Sequence, residues 1–223
     1  NVNVNIVLLN NQIYGLTKGQ YSPTSPRGFV SKSSPYGTVE APFCPAELTF
    51  GARGRFFGRC VDVDSSASVE VLVASAKHQG ASVVEVLQNC VIFNDGTHKE
   101  IADKANRADR TIFLRHGEKM LFGKVNEKGL VLDGLKLKVV TIGQDGYTLD
   151  DILVHDAKTP ENTMHLLLSM MSGDMPVALG VIRDVDSFVY GEELHKQIEE
   201  VQAKKPIRKL KEFLMSGEIW QVK

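Results

Sequence analysis

Two adjacent asparagines, Asn10 and Asn11, close a hydrophobic run and are followed by Thr17, Lys18, Gly19 and Gln20. Neutral amide oxygens suit a hard cation such as Mg²⁺, alongside carboxylate and phosphate oxygens. A hydroxyl, an ammonium, an amide and an approachable glycine backbone suit a diphosphate. The same residue types also fit an asparagine pair that only caps a loop. Cys90 is the second group of interest, in LQNCVIFNDG. Most lone cysteines are small buried hydrophobes. Cys90, however, stands at a strand exit beside Asn89 and ahead of Asn94-Asp95-Gly96, in the same layer as the asparagine loop. That position also suits a metal or cluster ligand. Cys60 reads as core, and Cys44, between two prolines, as near an interface. None of the six histidines shows ligand spacing with another. His116 and Glu118 read as hydrogen-bonding residues before a hairpin, and His155 as a residue orienting a turn. His78, His98, His165 and His195 read as helix-surface or loop residues.

Bulk composition narrows the class. With 43% apolar residues among 223, the chain can bury a core of one large or two small domains. Its 26 basic and 27 acidic residues leave no basic excess, which argues against nucleic acid as a partner. The basic cluster KKPIRKLK at 204–211 reads as a solvated helix face or subunit rim. Three dispersed cysteines without a CxxC pair make neither a disulfide scaffold nor a thiolate zinc site. No run of about 18 apolar residues is present, so no membrane partner is expected. No signal-peptide pattern opens the chain, and a cytoplasmic setting is expected.

The elements that must position these residues follow from pattern. Residues 3–9 read as a buried parallel strand ending in a functional loop. Residues 15–40 form a long loop rich in Gly, Ser, Thr and Pro, a length that usually binds something. A short helix starts at Pro45. Residues 56–63 read as a strand, and 65–80 as an amphipathic helix whose apolar face holds Val69, Leu72, Val73 and Ala76. Residues 81–90 form a third strand, completing a right-handed parallel βαβ unit. Residues 98–112 are charged and partly helical. Residues 115–149 alternate in short runs separated by NEKG, DG and QDG, the pattern of hairpins. Helices over 161–173, 190–205 and 207–215 and a strand over 175–185 complete the chain.

These blocks together resemble the beta subunit of the 2-oxoacid:ferredoxin oxidoreductases, in particular the 2-oxoglutarate branch. NNQIYGLTKGQYSPTSP is similar to the second half of that family's thiamine diphosphate motif, and LQNCVIFNDG to its segment carrying one cysteine of a [4Fe–4S] cluster. LRHGEKMLFG, ILVHDA and PVALGVIRDVDSFVYGEEL also match, in the correct order, over nearly all of residues 1–200. The resemblance implies an α/β thiamine diphosphate-binding fold, an open and mostly parallel sheet flanked by helices, with a C-terminal hairpin and helical extension. Residues 1–97 would be the C-terminal part of the cofactor domain. Residues 98–223 would be an extension contacting that domain and a partner subunit.

The same resemblance implies an activity. The complete enzyme would oxidatively decarboxylate a 2-oxoacid to its acyl-CoA and pass electrons to ferredoxin, with an alpha subunit as partner and coenzyme A as co-substrate. Asn11, through its side-chain oxygen, and Ile13, through its carbonyl, would hold Mg²⁺. Thr17 would contact the diphosphate. Asn10, Gly15, Leu16, Gly19 and Gln20 would shape the loop around it. Lys18 would face an anionic substrate or coenzyme A, and Cys90 would be the fourth thiolate of the cluster. The family's Gly-Asp-Gly segment and its remaining cluster cysteines have no counterpart here. The chain is therefore expected to lack its N-terminal segment, to be inactive by itself, and to bind the cluster only as full-length protein. Another 2-oxoacid specificity, such as pyruvate, and a truncated non-catalytic assembly subunit are the alternatives.

Overall fold

The structure is a computed structural model describing residues 1–204, 209–218, 220 and 222. The basic cluster and the last expected helix fall partly outside these residues.

A five-stranded sheet organises the chain. Its members are β1 (Val4–Asn10), β4 (Phe56–Val61), β5 (Ala81–Leu87), β6 (Thr111–Leu114) and β10 (Val177–Asp184), in the order β1-β5-β4-β10-β6. The pairs β1–β5, β5–β4 and β10–β6 are parallel, and β4–β10 is antiparallel. The sheet is therefore mostly parallel, as expected. The two short strands β2 (Ile13–Tyr14) and β3 (Gln20–Tyr21) make a hairpin after β1. Strands β7 (Leu121–Phe122), β8 (Lys128–Asp133) and β9 (Lys136–Thr141) form a separate antiparallel sheet, where the hairpins were expected. The boundary expected at residue 97 falls within the main sheet, which takes β6 and β10 from the second half of the chain.

The helices are α1 (Pro45–Gly51), α2 (Ser65–Lys77), α3 (Lys99–Ala102), α4 (Lys104–Arg110), α5 (Thr163–Ser169), α6 (Tyr190–Lys204) and α7 (Leu210–Leu214). The Asp64 side chain caps α2 by accepting from the Ala67 amide at 3.1 Å. Helix α2 then joins β4 to its parallel neighbour β5. Its buried face differs from the expected one. Val71 and Ser75 point inward, while Val69, Val73 and Ala76 are exposed. Val71 packs with Phe56, Cys60, Val84 and Val86, and the Ser75 and Ser82 hydroxyls share a hydrogen bond of 2.8 Å. A small polar residue thus turns the helix by binding the sheet, which hydrophobic spacing alone does not reveal.

Strand β1 is parallel as expected but not buried. It lies at the sheet edge with β5 as its one strand neighbour among the described residues, and Val4, Ile6, Val7, Leu8 and Leu9 are exposed. Only its last residue, Asn10, is buried. The main core instead gathers Phe50, Phe57, Ile112, Leu114, Leu168 and Ile182 between α1, α5 and the sheet.

Three histidines also sit deeper than their sequence setting suggested. His78 is buried and bonds Asp184 through Nδ1 at 2.8 Å. His155 donates from Nε2 to the Val181 carbonyl, and His165 from Nε2 to the Asp156 carbonyl, both at 2.9 Å. His165 Nδ1 accepts from Arg183 Nη1 at 2.7 Å, so the ring must be neutral. Burial pushes its pKa down to about 4, and the Arg183 charge adds to this. The unfolded chain therefore takes up a proton near pH 6.5 that the folded ring refuses until about 4. Stability is full above that window and is lost as pH falls through it, by on the order of 3 kcal/mol for this residue. A urea-denaturation series from pH 7 to 4 should show that loss. His165→Gln, whatever its stability at pH 7, should flatten the slope, and an unchanged slope would remove His165 as its source.

Candidate functional site

The site is built where β1 ends. A carbonyl inside a sheet is satisfied by its ladder, but the turn leaving β1 must find other partners. Asn10 O accepts from the Gln88 amide at 3.1 Å and from His98 Nε2 at 2.8 Å. Asn11 O accepts from Asn94 Nδ2 at 2.9 Å. Gln12 O accepts from Ser25 Oγ at 2.5 Å. Three consecutive carbonyls are thus held by side chains from two other loops. They fix a turn in which Gln12 is left-handed, with φ 54°. The Gln12 side chain is also held, by Thr97 Oγ1 at 2.7 Å.

The two asparagine side chains point into different surroundings. Asn11 Oδ1 accepts from the Ile13 amide at 3.2 Å, and its Nδ2 donates to Gln88 Oε1 at 3.3 Å. Those partners turn the oxygen toward Ile13 and leave it a second lone pair. Asn10 Nδ2 donates to Glu85 Oε1 at 2.7 Å, and its Oδ1 accepts from Thr24 Oγ1 at 2.7 Å and from the Gln12 amide at 3.3 Å. Glu85 in turn pairs with Arg59 Nε at 2.7 Å, both side chains being buried.

The other expected residues lie on the hairpin that follows. Its tip is closed by Lys18 N donating to Gly15 O at 3.0 Å and Gly19 N to Tyr14 O at 2.9 Å. Gln20 pairs with Tyr14 across the two strands. Leu16, Thr17 and Lys18 are exposed at the tip, and Lys18 is left-handed with φ 71°. Thr17 Oγ1 donates to Tyr14 O at 3.3 Å. The Leu16 and Thr17 amides have no hydrogen-bond acceptor among the described residues. Gly15 lies against Cys90: a Cβ there would stand 3.6 Å from the thiol sulfur. Cys90 follows β5, outside the strand proper, and bridges to Asn94. Asparagine loop, hairpin and Cys90 therefore form one assembly, as the strand-exit argument anticipated.

Several supporting residues were not foreseen. Glu85, Arg59, Thr24, Ser25, Gln88 and Thr97 are among them, and His98 holds the Asn10 carbonyl rather than facing solvent. A usable signal existed for two of them. Arg59 in FFGRCV and Glu85 in SVVEVL are lone charges inside apolar strands, and such charges are buried only when paired. Beside them opens a cleft of about 780 Å³, lined by Asn10, Thr24, Arg59, Glu85, His98 and Ser169 among others.

The donor set suits a magnesium–diphosphate group. It offers a neutral amide oxygen, a backbone carbonyl at Ile13, free tip amides, a hydroxyl and an ammonium, the hard oxygen and anion-binding chemistry that such a group needs. An iron–sulfur cluster is a different matter. Among the described residues no group of three His, Cys, Asp or Glu side chains is placed to hold a metal ion, so these residues do not by themselves close a four-thiolate site.

Comparison with known proteins bears on the diphosphate part of this chemistry. Residues 1–86 match the family described as thiamine pyrophosphate enzyme, C-terminal TPP binding domain. A Mycobacterium tuberculosis protein, 2-oxoglutarate oxidoreductase subunit KorB, is 42% identical over 200 residues, covering 89% of this chain and 53% of that protein. The chain is similar, over most of its length, to a 2-oxoacid oxidoreductase subunit. The 2-oxoglutarate synthase subunit KorB of Archaeoglobus fulgidus is 38% identical over 90 residues, 40% of this chain and 34% of that one. The beta subunit of a Saccharolobus solfataricus 2-oxoacid:ferredoxin oxidoreductase is 36% identical over 104 residues, 47% of this chain and 34% of that one. The chain spans about half the length of the first of these relatives and about a third of the other two. In fold it is similar to the 2-oxoglutarate:ferredoxin oxidoreductase from Magnetococcus marinus, solved with 2-oxoglutarate, coenzyme A and succinyl-CoA bound. The TM-score is 0.66 at 21% identity, over 98% of this chain and 60% of that one.

The hairpin tip offers a structural test. Gly19 has φ 98°, and a Cβ there would stand 3.0 Å from the Phe93 ring. Gly19→Ala should lower unfolding stability by about 1–2 kcal/mol, measured by circular dichroism in urea. Unchanged stability would mean that the tip is not locked against residues 90–94.

Proposed function

We propose that this chain is the cofactor-holding portion of the beta subunit of a 2-oxoacid:ferredoxin oxidoreductase acting on 2-oxoglutarate. The observation that carries the reading is the turn at residues 10–13. Three clamped carbonyls present Asn11 Oδ1 and Ile13 at the end of β1, within a segment matching a TPP binding domain. The relatives' names favour 2-oxoglutarate over pyruvate.

In this reading residues 1–97 carry the cofactor site, and residues 98–223 complete its sheet through β6 and β10 and extend toward an alpha subunit, in the cytoplasm. Asn11 and the Ile13 carbonyl would hold Mg²⁺. Thr17 and the tip amides would hold the diphosphate, with Gly15, Leu16, Gly19 and Gln20 shaping the hairpin and Asn10 supporting it. Thiamine diphosphate, when bound, supplies the electron sink for decarboxylating a 2-oxoacid. The protein's part is to fix and orient. The clamp removes freedom from the turn before any ligand arrives, which lowers the ordering cost of binding. Lys18, exposed at the tip, would meet the negative charge of a 2-oxoacid or coenzyme A. Cys90 would give one thiolate to a [4Fe–4S] cluster serving ferredoxin, and such a cluster takes three further ligands.

Calorimetric titration of the intact protein with thiamine diphosphate should show binding that depends on Mg²⁺. Asn11→Ala should weaken it at least about tenfold, and equal affinity would sink the assignment of Asn11. In the assembled enzyme, Cys90→Ser should remove or alter the cluster's visible absorption, whereas an intact spectrum would take Cys90 out of the ligand set. Steady-state rates with 2-oxoglutarate and with pyruvate test the specificity, and faster turnover of pyruvate would reverse it.

A further inference from the structure

Glu85 is a buried acidic side chain on the sheet, at the wall of the cleft beside Arg59, 2% exposed. It lies on β5 directly across from Arg59 on β4. Its two oxygens have different tasks. Oε2 receives Arg59 Nε at 2.7 Å, and Oε1 receives Asn10 Nδ2 at 2.7 Å. The Arg59 guanidinium also reaches the Ser169 carbonyl at the end of α5, 3.4 Å from each terminal nitrogen.

A carboxylate can only accept. The Asn10 amide must therefore turn its NH₂ toward Glu85, which turns its oxygen toward the loop. That oxygen is what the Gln12 amide and the Thr24 hydroxyl bind. Gln12 is the left-handed residue of the turn, and the next residues are Ile13 and the hairpin. A charge in the sheet thus decides which way an amide faces at its edge. That amide in turn decides whether the turn's strained residue keeps its acceptor.

We propose that Glu85, held by Arg59, is a positioning residue that sets the Asn10 amide and through it the Asn11–Ile13 turn, and so governs how tightly the site binds its metal and diphosphate. The role in binding rests on the reading of that turn as the thiamine diphosphate site. The role in ordering the turn does not.

Donor and acceptor polarity give the test. In Glu85→Gln, the new amide offers NH₂ where Asn10 also offers NH₂. Asn10 must flip, and the Gln12 amide then faces a donor. In the swap Asn10→Asp with Glu85→Gln, the carboxylate sits at position 10 and the amide at position 85. One carboxylate oxygen can accept from the amide introduced on β5, the other from Gln12 and Thr24, and the net charge of the trio with Arg59 is that of the wild type.

Two readouts are taken on the intact protein, with melting temperature recorded for each variant. They are amide hydrogen exchange at Gln12 and Ile13 without cofactor, and calorimetric affinity for thiamine diphosphate with Mg²⁺. Glu85→Gln should speed exchange at Gln12 and weaken the affinity, each by about tenfold or more. The swap should restore both to within about threefold, a recovery that mere packing or charge balance would not produce. Unchanged exchange in Glu85→Gln, or a folded swap that does not recover it, overturns the proposal. If Glu85→Gln does not fold, the swap against wild type decides: native exchange supports the role and raised exchange refutes it. If wild-type protein binds no thiamine diphosphate, the functional reading fails, and exchange alone still decides the ordering of the turn.

Discussion

The fixed turn at the end of β1 is the constraint on which the rest of the site depends. Its backbone leaves the sheet ladder with the Asn11 and Gln12 carbonyls to satisfy, the Asn10 carbonyl shared between the Gln88 amide and His98, and one left-handed glutamine to hold. Each of those groups would cost about 1–3 kcal/mol if buried without a partner. The partners come from Ser25 on the following loop and from Asn94 and His98 beyond β5. The loops are thus tied to the turn as much as the turn is tied to them. One buried ion pair, Arg59–Glu85, stands behind the arrangement. A pair of this kind contributes little net stability, because desolvation offsets its attraction. Its value here lies in the direction it imposes on a neighbouring amide.

Much of this was legible in the residues. The asparagine pair and the strand-exit cysteine carry local chemistry, which is what a single sequence displays, whereas the β2–β3 hairpin stands where a long loop was expected. The parallel βαβ unit and the antiparallel hairpins after residue 115 were legible for the same reason, since period and turn residues are local. What escaped was non-local. The face of α2 is set by a Ser75–Ser82 hydrogen bond to the next strand. The burial of His155 and His165 is set by carbonyls of Val181 and Asp156, themselves placed by the sheet and a loop. The clamp on the turn joins residues more than eighty positions apart. Periodicity carries no information about such pairings. The lone charges at 59 and 85 escaped as well, although a charge within an apolar strand announces a partner without saying which.

The edge position of β1 shows the limit of the same logic from the other side. A run such as NVNIVLL reads as buried because its residues are apolar, yet burial is decided by what packs on the strand. Here β5 satisfies one edge of the backbone, while the side chains of Val4 to Leu9 stay accessible. Asn10, at the end of the strand, is enclosed by Thr24 of the following loop together with Glu85 and His98.

The mixed direction of the sheet has a temporal side. Strands β1, β5 and β4 are drawn from residues 4–87, whereas β10, from residues 177–184, is the antiparallel neighbour of β4 and the parallel neighbour of β6. Within β10, Gly180 has φ 95°, and a Cβ there would collide with the backbone of Leu114. The strand therefore fits its slot by close backbone approach. On a ribosome, the three strands beneath the Asn10–Ile13 turn can pair while β4 still lacks its other neighbour. That edge must wait for about ninety further residues, and closing so long a loop is a slow step entropically. Until then the flank of β4 is an open template for other strands. The chain thus builds the frame of its site first and protects it last.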